Sequence, residues 1–283
     1  MTGLAAWRGL VELVNSNDLT HSAAIAYYSL LSLFPFLLLV VSVLDSIASA
    51  TPADREAVIS FVFRYFPQQA GEFIGRQLGS ASVRGGIAGA LALTWASLGV
   101  FGAITSAVNE AWGVEKQRSF WKHRLVSFLM FVAAGLVMIM ALLLVSAINV
   151  ARTNWFGELV PRFHWLAVLQ TLTLDYLATI LLIVGLGLVF YFIPNAKTRF
   201  RDVWVGAILT GVLWRLAFDG FSWYVKTSRL NEVHRSITAV VIFLLWVYVS
   251  SIILMYGVEF TAGYARLRRR RPEQLPAAPT PRT

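Results

Sequence analysis

Apolar residues fall in six long runs along this chain, and polar residues gather between the runs. A helix needs about 20 mostly apolar residues to cross the hydrocarbon of a bilayer, and each run is long enough. Residues 22–44, 87–108 and 125–150 carry no charged side chain. Residues 171–193 carry only Asp175, 203–225 carry Arg215 and Asp219, and 237–260 carry Glu259 near the end. Nothing alternates with the two-residue period of a barrel strand. The pattern predicts an all-α polytopic membrane protein: one six-helix membrane domain over residues 1–264, then a basic, proline-rich tail over 265–283 that is expected to be disordered.

The segment 45–86 is too polar to cross. Thr51-Pro52-Ala53-Asp54 reads as a capping box with proline at the first helical position. It predicts a helix over 57–66 lying in the outer interface, and a second short helix follows around 69–78. This segment is either a plain surface lid or a ligand-binding element.

Composition agrees with the pattern. The chain is 57% hydrophobic and only 14% charged, too apolar for a single soluble core. It has no cysteine, which excludes disulfides, thiol catalysis and thiolate metal sites. The first 20 residues include Glu12 and Asp18 and lack the layout of a cleaved signal, so the first apolar run is expected to be retained.

The net charge of +9 sets the orientation through its distribution. Six crossings put the N-terminus, the 113–124 loop, the 194–202 loop and the C-terminus on one side. These hold 14 basic residues, densely in the two short loops, against 9 in the longer segments opposite. The dense side is expected to be cytoplasmic, with both termini inside.

Two stretches carry a family resemblance. One is Ala23-Ala24-Ile25-Ala26-Tyr27-Tyr28-Ser29-Leu30-Leu31-Ser32-Leu33-Phe34-Pro35. The other is Leu245-Trp246-Val247-Tyr248 followed by Gly257-Val258-Glu259; Tyr191 and Pro194 at the end of the fourth run fit as well. Together they resemble the YihY/BrkB family of bacterial inner-membrane proteins over residues 16–264. The turn before the last helix departs from the family, reading His234-Arg235-Ser236 in place of a Tyr-Gly-Ser-like turn. The resemblance implies a six-helix protein of the bacterial inner membrane and no settled activity. The family has also carried the label ribonuclease BN.

Several residues are candidates for chemistry. Pro35 frees the carbonyl of Leu31, and Tyr28, Ser32 and Pro35 share one helix face. They form either a hinge and polar cavity stripe or a static kink. Gly99, Ala103 and Ala107, with Gly102 and Ser106, form a small-residue stripe suited to helix packing within one chain or in a homo-oligomer. Arg215 and Asp219 are four apart, and Arg215 lies about 18 Å into its helix. An unpaired charge at that depth costs at least about 2.5–3.5 kcal/mol. The pair is therefore expected to face the bundle, as a functional centre or as an internal salt bridge. Glu259 matches the family's ending; it is either a cavity residue or an interfacial carboxylate paired with a basic loop such as 197–201. Asn109 and Glu110 end the second helix on the same side and could share those partners.

Arg266, Arg268, Arg269, Arg270 and Arg271 follow directly on a membrane helix, so anionic lipid at the cytoplasmic face is their expected partner rather than nucleic acid. The four histidines fall on different segments without metal-ligand spacing, and there is no glycine-rich phosphate loop. The ribonuclease reading is rejected on that chemistry; no enzyme activity and no cofactor are expected. Two functions remain. One is a transporter or translocase of a lipid or other envelope amphiphile, working through a cavity near Arg215 and Asp219. The other is a membrane scaffold that binds envelope partners. No ATP motif is present, so transport would be passive, ion-coupled or driven by a partner.

Overall fold

The computed structural model describes residues 2–48, 65–80, 86–114, 119–154, 179–196, 198–228 and 235–270. Among the described residues the regular structure is helical throughout: α1 (Thr2–Asn15), α2 (Asp18–Ala48), α3 (Gln68–Ser80), α4 (Gly86–Ala111), α5 (Phe120–Asn154), α6 (Thr179–Phe192), α7 (Phe200–Thr227) and α8 (Arg235–Arg270). By length and composition five of these can cross a membrane, namely α2, α4, α5, α7 and α8. The apolar α6 is the described part of the expected fourth crossing, whose first residues, 171–178, lie outside the described ones.

The second short outer helix is present as α3. The capping box at 51–54 and most of the 57–66 helix lie outside the described residues. Two elements differ from expectation. α1 was not anticipated: Ala5, Gly9 and Leu13, one helical turn apart, are buried, and a Cβ on Gly9 would lie 3.1 Å from the Phe260 amide nitrogen of α8. The domain boundary at 264 is also displaced, because α8 continues without a break through Arg270. Arg266 and Arg268 near its end tie it back to α4 and to the start of α7.

α8 is the central element and touches α1, α2, α3, α4 and α7. Its crossing with α7 is built from glycine and threonine. Gly206 faces Thr261 and Gly257 faces Thr210, and each threonine hydroxyl also bonds the carbonyl one turn back on its own helix. The backbones thus approach closely without leaving a polar group unpaired. α2 packs along α4. Ser32 is buried, donates to the Ala96 carbonyl (3.1 Å), and accepts from the Val100 amide (3.3 Å). Tyr28 closes on Gly99 beside it, and Gly102 faces α5 near His123 and Ser127. The small-residue stripe of α4 therefore serves packing within the chain, and Ser32 is a helix-helix contact rather than a cavity polar group. α2 runs helically through Pro35.

Candidate functional site

The buried side chains form two clusters. One surrounds Leu37, Met138, Ile242 and Phe243; the other surrounds Ile25, Val108, Phe190 and Val258. Between them lies an almost wholly apolar cavity of about 430 Å³. Leu33, Phe36 and Leu37 of α2, Phe101 and Ile104 of α4, Met130, Ala134 and Met138 of α5, and Gly185, Leu186 and Ile193 on and after α6 line it. Tyr65 and Phe66, from the segment between α2 and α3, close one end. That closure is fixed by Trp246. The ring is 1% exposed, its Nε1 donates to the Tyr65 carbonyl (2.8 Å), and it packs against Trp214, Phe218 and Phe221. Phe66 stacks on Phe243 at 5.5 Å.

A second cavity of about 520 Å³ is lined by Ser106, Asn109, Glu110, Val114, Phe120, His123 and Asn195. The same elements serve both spaces. Ile104 lines the apolar one and Ser106 the polar one; Ile193 and Asn195 divide in the same way, as do Met130 and His123. An apolar slot and a polar chamber therefore share α4, α5 and the end of α6 in their linings. In the polar chamber Asn109 ties α4 to the end of α6: its Nδ2 donates to the Thr105 carbonyl (2.8 Å), and its Oδ1 accepts from the Asn195 amide (2.8 Å). His21 Nε2 and Glu110 Oε2 are 2.8 Å apart.

Arg215 and Asp219 form their i,i+4 pair at 3.6 Å, but the expectation that they face the bundle is corrected: their side chains are 44% and 60% exposed. They share the outward face of α7 with Ile208, Val212, Leu216 and Trp223, and neither lines either of these cavities. The face with Gly206 and Thr210 is the one α8 takes. The pair neutralises itself, with Arg215 5.9 Å from the Phe218 ring centre.

Two of the arginines assigned to lipid are corrected as well. Arg266 donates to the Ala111 carbonyl at the end of α4 (3.2 Å), and Arg268 forms an ion pair with the buried Asp202 in the first turn of α7. Both positions complement helix dipoles, a cation at a C-terminus and an anion at an N-terminus. Gly113, at φ +66°, provides the left-handed turn that brings the chain past Arg266. Arg269 and Arg270 lie in the last turn of α8, and Arg271 falls outside the described residues.

Glu259 is 6% exposed, and its electrostatic neighbours among the described residues are Asp18, Arg266 and Glu12. Arg199 and Arg201 of the 197–201 loop are exposed. Sequence reasoning missed Asp18, Ser22, His123 and Asn195 as site residues. It had no signal that these scattered polar positions converge at one end of the bundle. Trp246 entered only through the family pattern. Among the described residues no three of His, Asp and Glu gather closely enough to hold a metal ion.

Five long apolar helices among the described residues define a polytopic α-helical integral membrane protein. Residues 12–281 match the family described as "Virulence factor BrkB", and the chain belongs to that family. YfkH of Bacillus subtilis, whose name calls it ribonuclease-like, is 27% identical over 271 residues, covering 91% of this chain and 93% of the relative. A UPF0761 membrane protein of Alkalilimnicola ehrlichii is 28% identical over 89% of this chain, which spans only 57% of that relative. One of Aliivibrio salmonicida is 29% identical over 90% of this chain and 81% of its own length. No solved structure matches the chain.

Proposed function

We propose that the protein is a transporter or translocase of a lipid or other envelope amphiphile. In this reading it sits in the bacterial cytoplasmic membrane with both termini inside and acts without a cofactor or enzymatic step. The observation that carries the reading is an apolar slot and a polar chamber lined by the same elements. An acyl chain needs an apolar channel, a head group needs hydrogen-bonding partners, and the same elements of this bundle supply both. The proposed path thus moves from Arg215 and Asp219 to the space between α2, α4, α5 and α6. Arg269, Arg270 and Arg271 remain for anionic lipid at the cytoplasmic surface.

Gly185 makes the test direct. It lines the slot, and a Cβ there would meet nothing within 4 Å. Gly185→Leu should therefore fold and insert while filling the slot. The purified protein in nanodiscs should be labelled by a phospholipid with a photoreactive acyl chain, at peptides from α5 and α6. Gly185→Leu should lose most of that labelling, and reconstituted vesicles should move a fluorescent lipid between leaflets only with the unsubstituted protein. Labelling confined to the outer faces of the helices, unchanged in the variant, would overturn this reading and leave the scaffold.

A further inference from the structure

We infer that the buried carboxylates of Asp18 and Glu259, with the Ser22 hydroxyl, form a binding site for a small monovalent cation between α2 and α8. The site is distinct from the slot and does not depend on what the slot carries.

Asp18 is 2% exposed, Ser22 0% and Glu259 6%. Asp18 Oδ2 and Ser22 Oγ are buried and find no hydrogen-bond partner in the protein. The two lie one turn apart on the same face of α2. A membrane-helix serine commonly donates to the carbonyl one turn back, as Ser97 and Ser251 do here, so the Ser22 oxygen is unusual in this chain. Unsatisfied buried polar atoms call for an explanation, and an ion is one of the few that satisfies a carboxylate and a hydroxyl oxygen together.

The surrounding charges select the sign. Asp18 interacts electrostatically with Glu12 of α1 and Glu110 of α4 as well as with His21, and it acts on Glu259 of α8. Asp18 thus lies in the field of other carboxylates, of which Glu259 is also buried. His21 is held by Glu110, and the Arg266 guanidinium, which donates to the Ala111 carbonyl, keeps its charge and is the cation that acts on Glu259. The remaining field is negative, in an end of the bundle whose loops are otherwise basic. The dipole at the start of α2 works against a cation but is a partial charge, whereas the Asp18 carboxylate, which Ser16 also hydrogen-bonds, is a full one. A divalent ion is disfavoured, because it takes six or more oxygens and no three acids or histidines gather among the described residues.

The test is thermal unfolding of the purified full chain in nanodiscs, with Na⁺ exchanged for choline at constant ionic strength. Na⁺ should raise the midpoint saturably. Asp18→Asn should abolish the response, and Asp219→Asn on the outward face should keep it. Should Asp18→Asn fail to fold, Ser22→Ala decides. It removes one ligand oxygen and no charge, and should require roughly tenfold more Na⁺ for half the rise. Identical midpoints in Na⁺ and choline would overturn the site. A midpoint that responds to acid alone would overturn it too, because a proton would then satisfy Asp18. So would a Na⁺ response unchanged in Ser22→Ala.

Discussion

The hydroxyl of Thr261 on α8 stands where a Cβ on Gly206 of α7 would have to go, and one turn along Thr210 stands in the same relation to Gly257. The two helices lock by exchanging threonines into each other's glycine notches. Gly206→Ala or Gly257→Ala should overpack this crossing and cost about 1–3 kcal/mol. Combining Gly206→Ala with Thr261→Ala should recover much of the loss, and reversible unfolding in detergent measures both.

The outward pair should behave as two charges that need only each other. Arg215→Leu or Asp219→Leu alone leaves an uncompensated charge on a lipid-facing helix and should cost at least about 2 kcal/mol. The double variant should restore stability and keep lipid photolabelling. A stable double variant that no longer labels would return the pair to the functional path.

Trp246 should control the roof of the slot. Trp246→Phe keeps a ring but loses the bond to the Tyr65 carbonyl, costing about 1 kcal/mol. Hydrogen exchange around residues 65 and 66 should quicken while the rest of α8 stays protected.

Asp202 is buried beneath Arg268. Arg268→Ala strands that carboxylate and should cost about 3–5 kcal/mol. Arg268→Lys, which keeps the charge, should cost clearly less. Equal losses for the two variants would mean that the guanidinium packs rather than pairs.

Orientation can be read by single cysteines, since the chain has none of its own. Cysteines at 118 and 199 should react with an impermeant maleimide only from the cytoplasmic side. Cysteines in the 45–86 segment should react only from outside.

The six apolar runs, the short outer helix and the basic bias of two loops follow from residue order alone, because span length and local charge density are local properties. α1 was legible in principle, in the spacing of Ala5, Gly9 and Leu13, but that spacing acquires meaning only beside the α8 backbone it meets. The sequence by itself also determined that Arg215 and Asp219 share a face, since four residues are about one helical turn.

Only the tertiary structure decided which way that face points. The Gly206 and Thr210 notches turn one side of α7 to α8, and helix geometry places Arg215 and Asp219 about 140° and 180° round from Thr210. Burial cost argues that charges should hide, but a pair that neutralises itself is a weaker constraint than backbones that must interlock. The slot and the polar chamber were illegible for the same reason. Their linings come from helices far apart in sequence, and only packing brings Ile104, Met130 and Ile193 to one wall and Asp18 to Glu259.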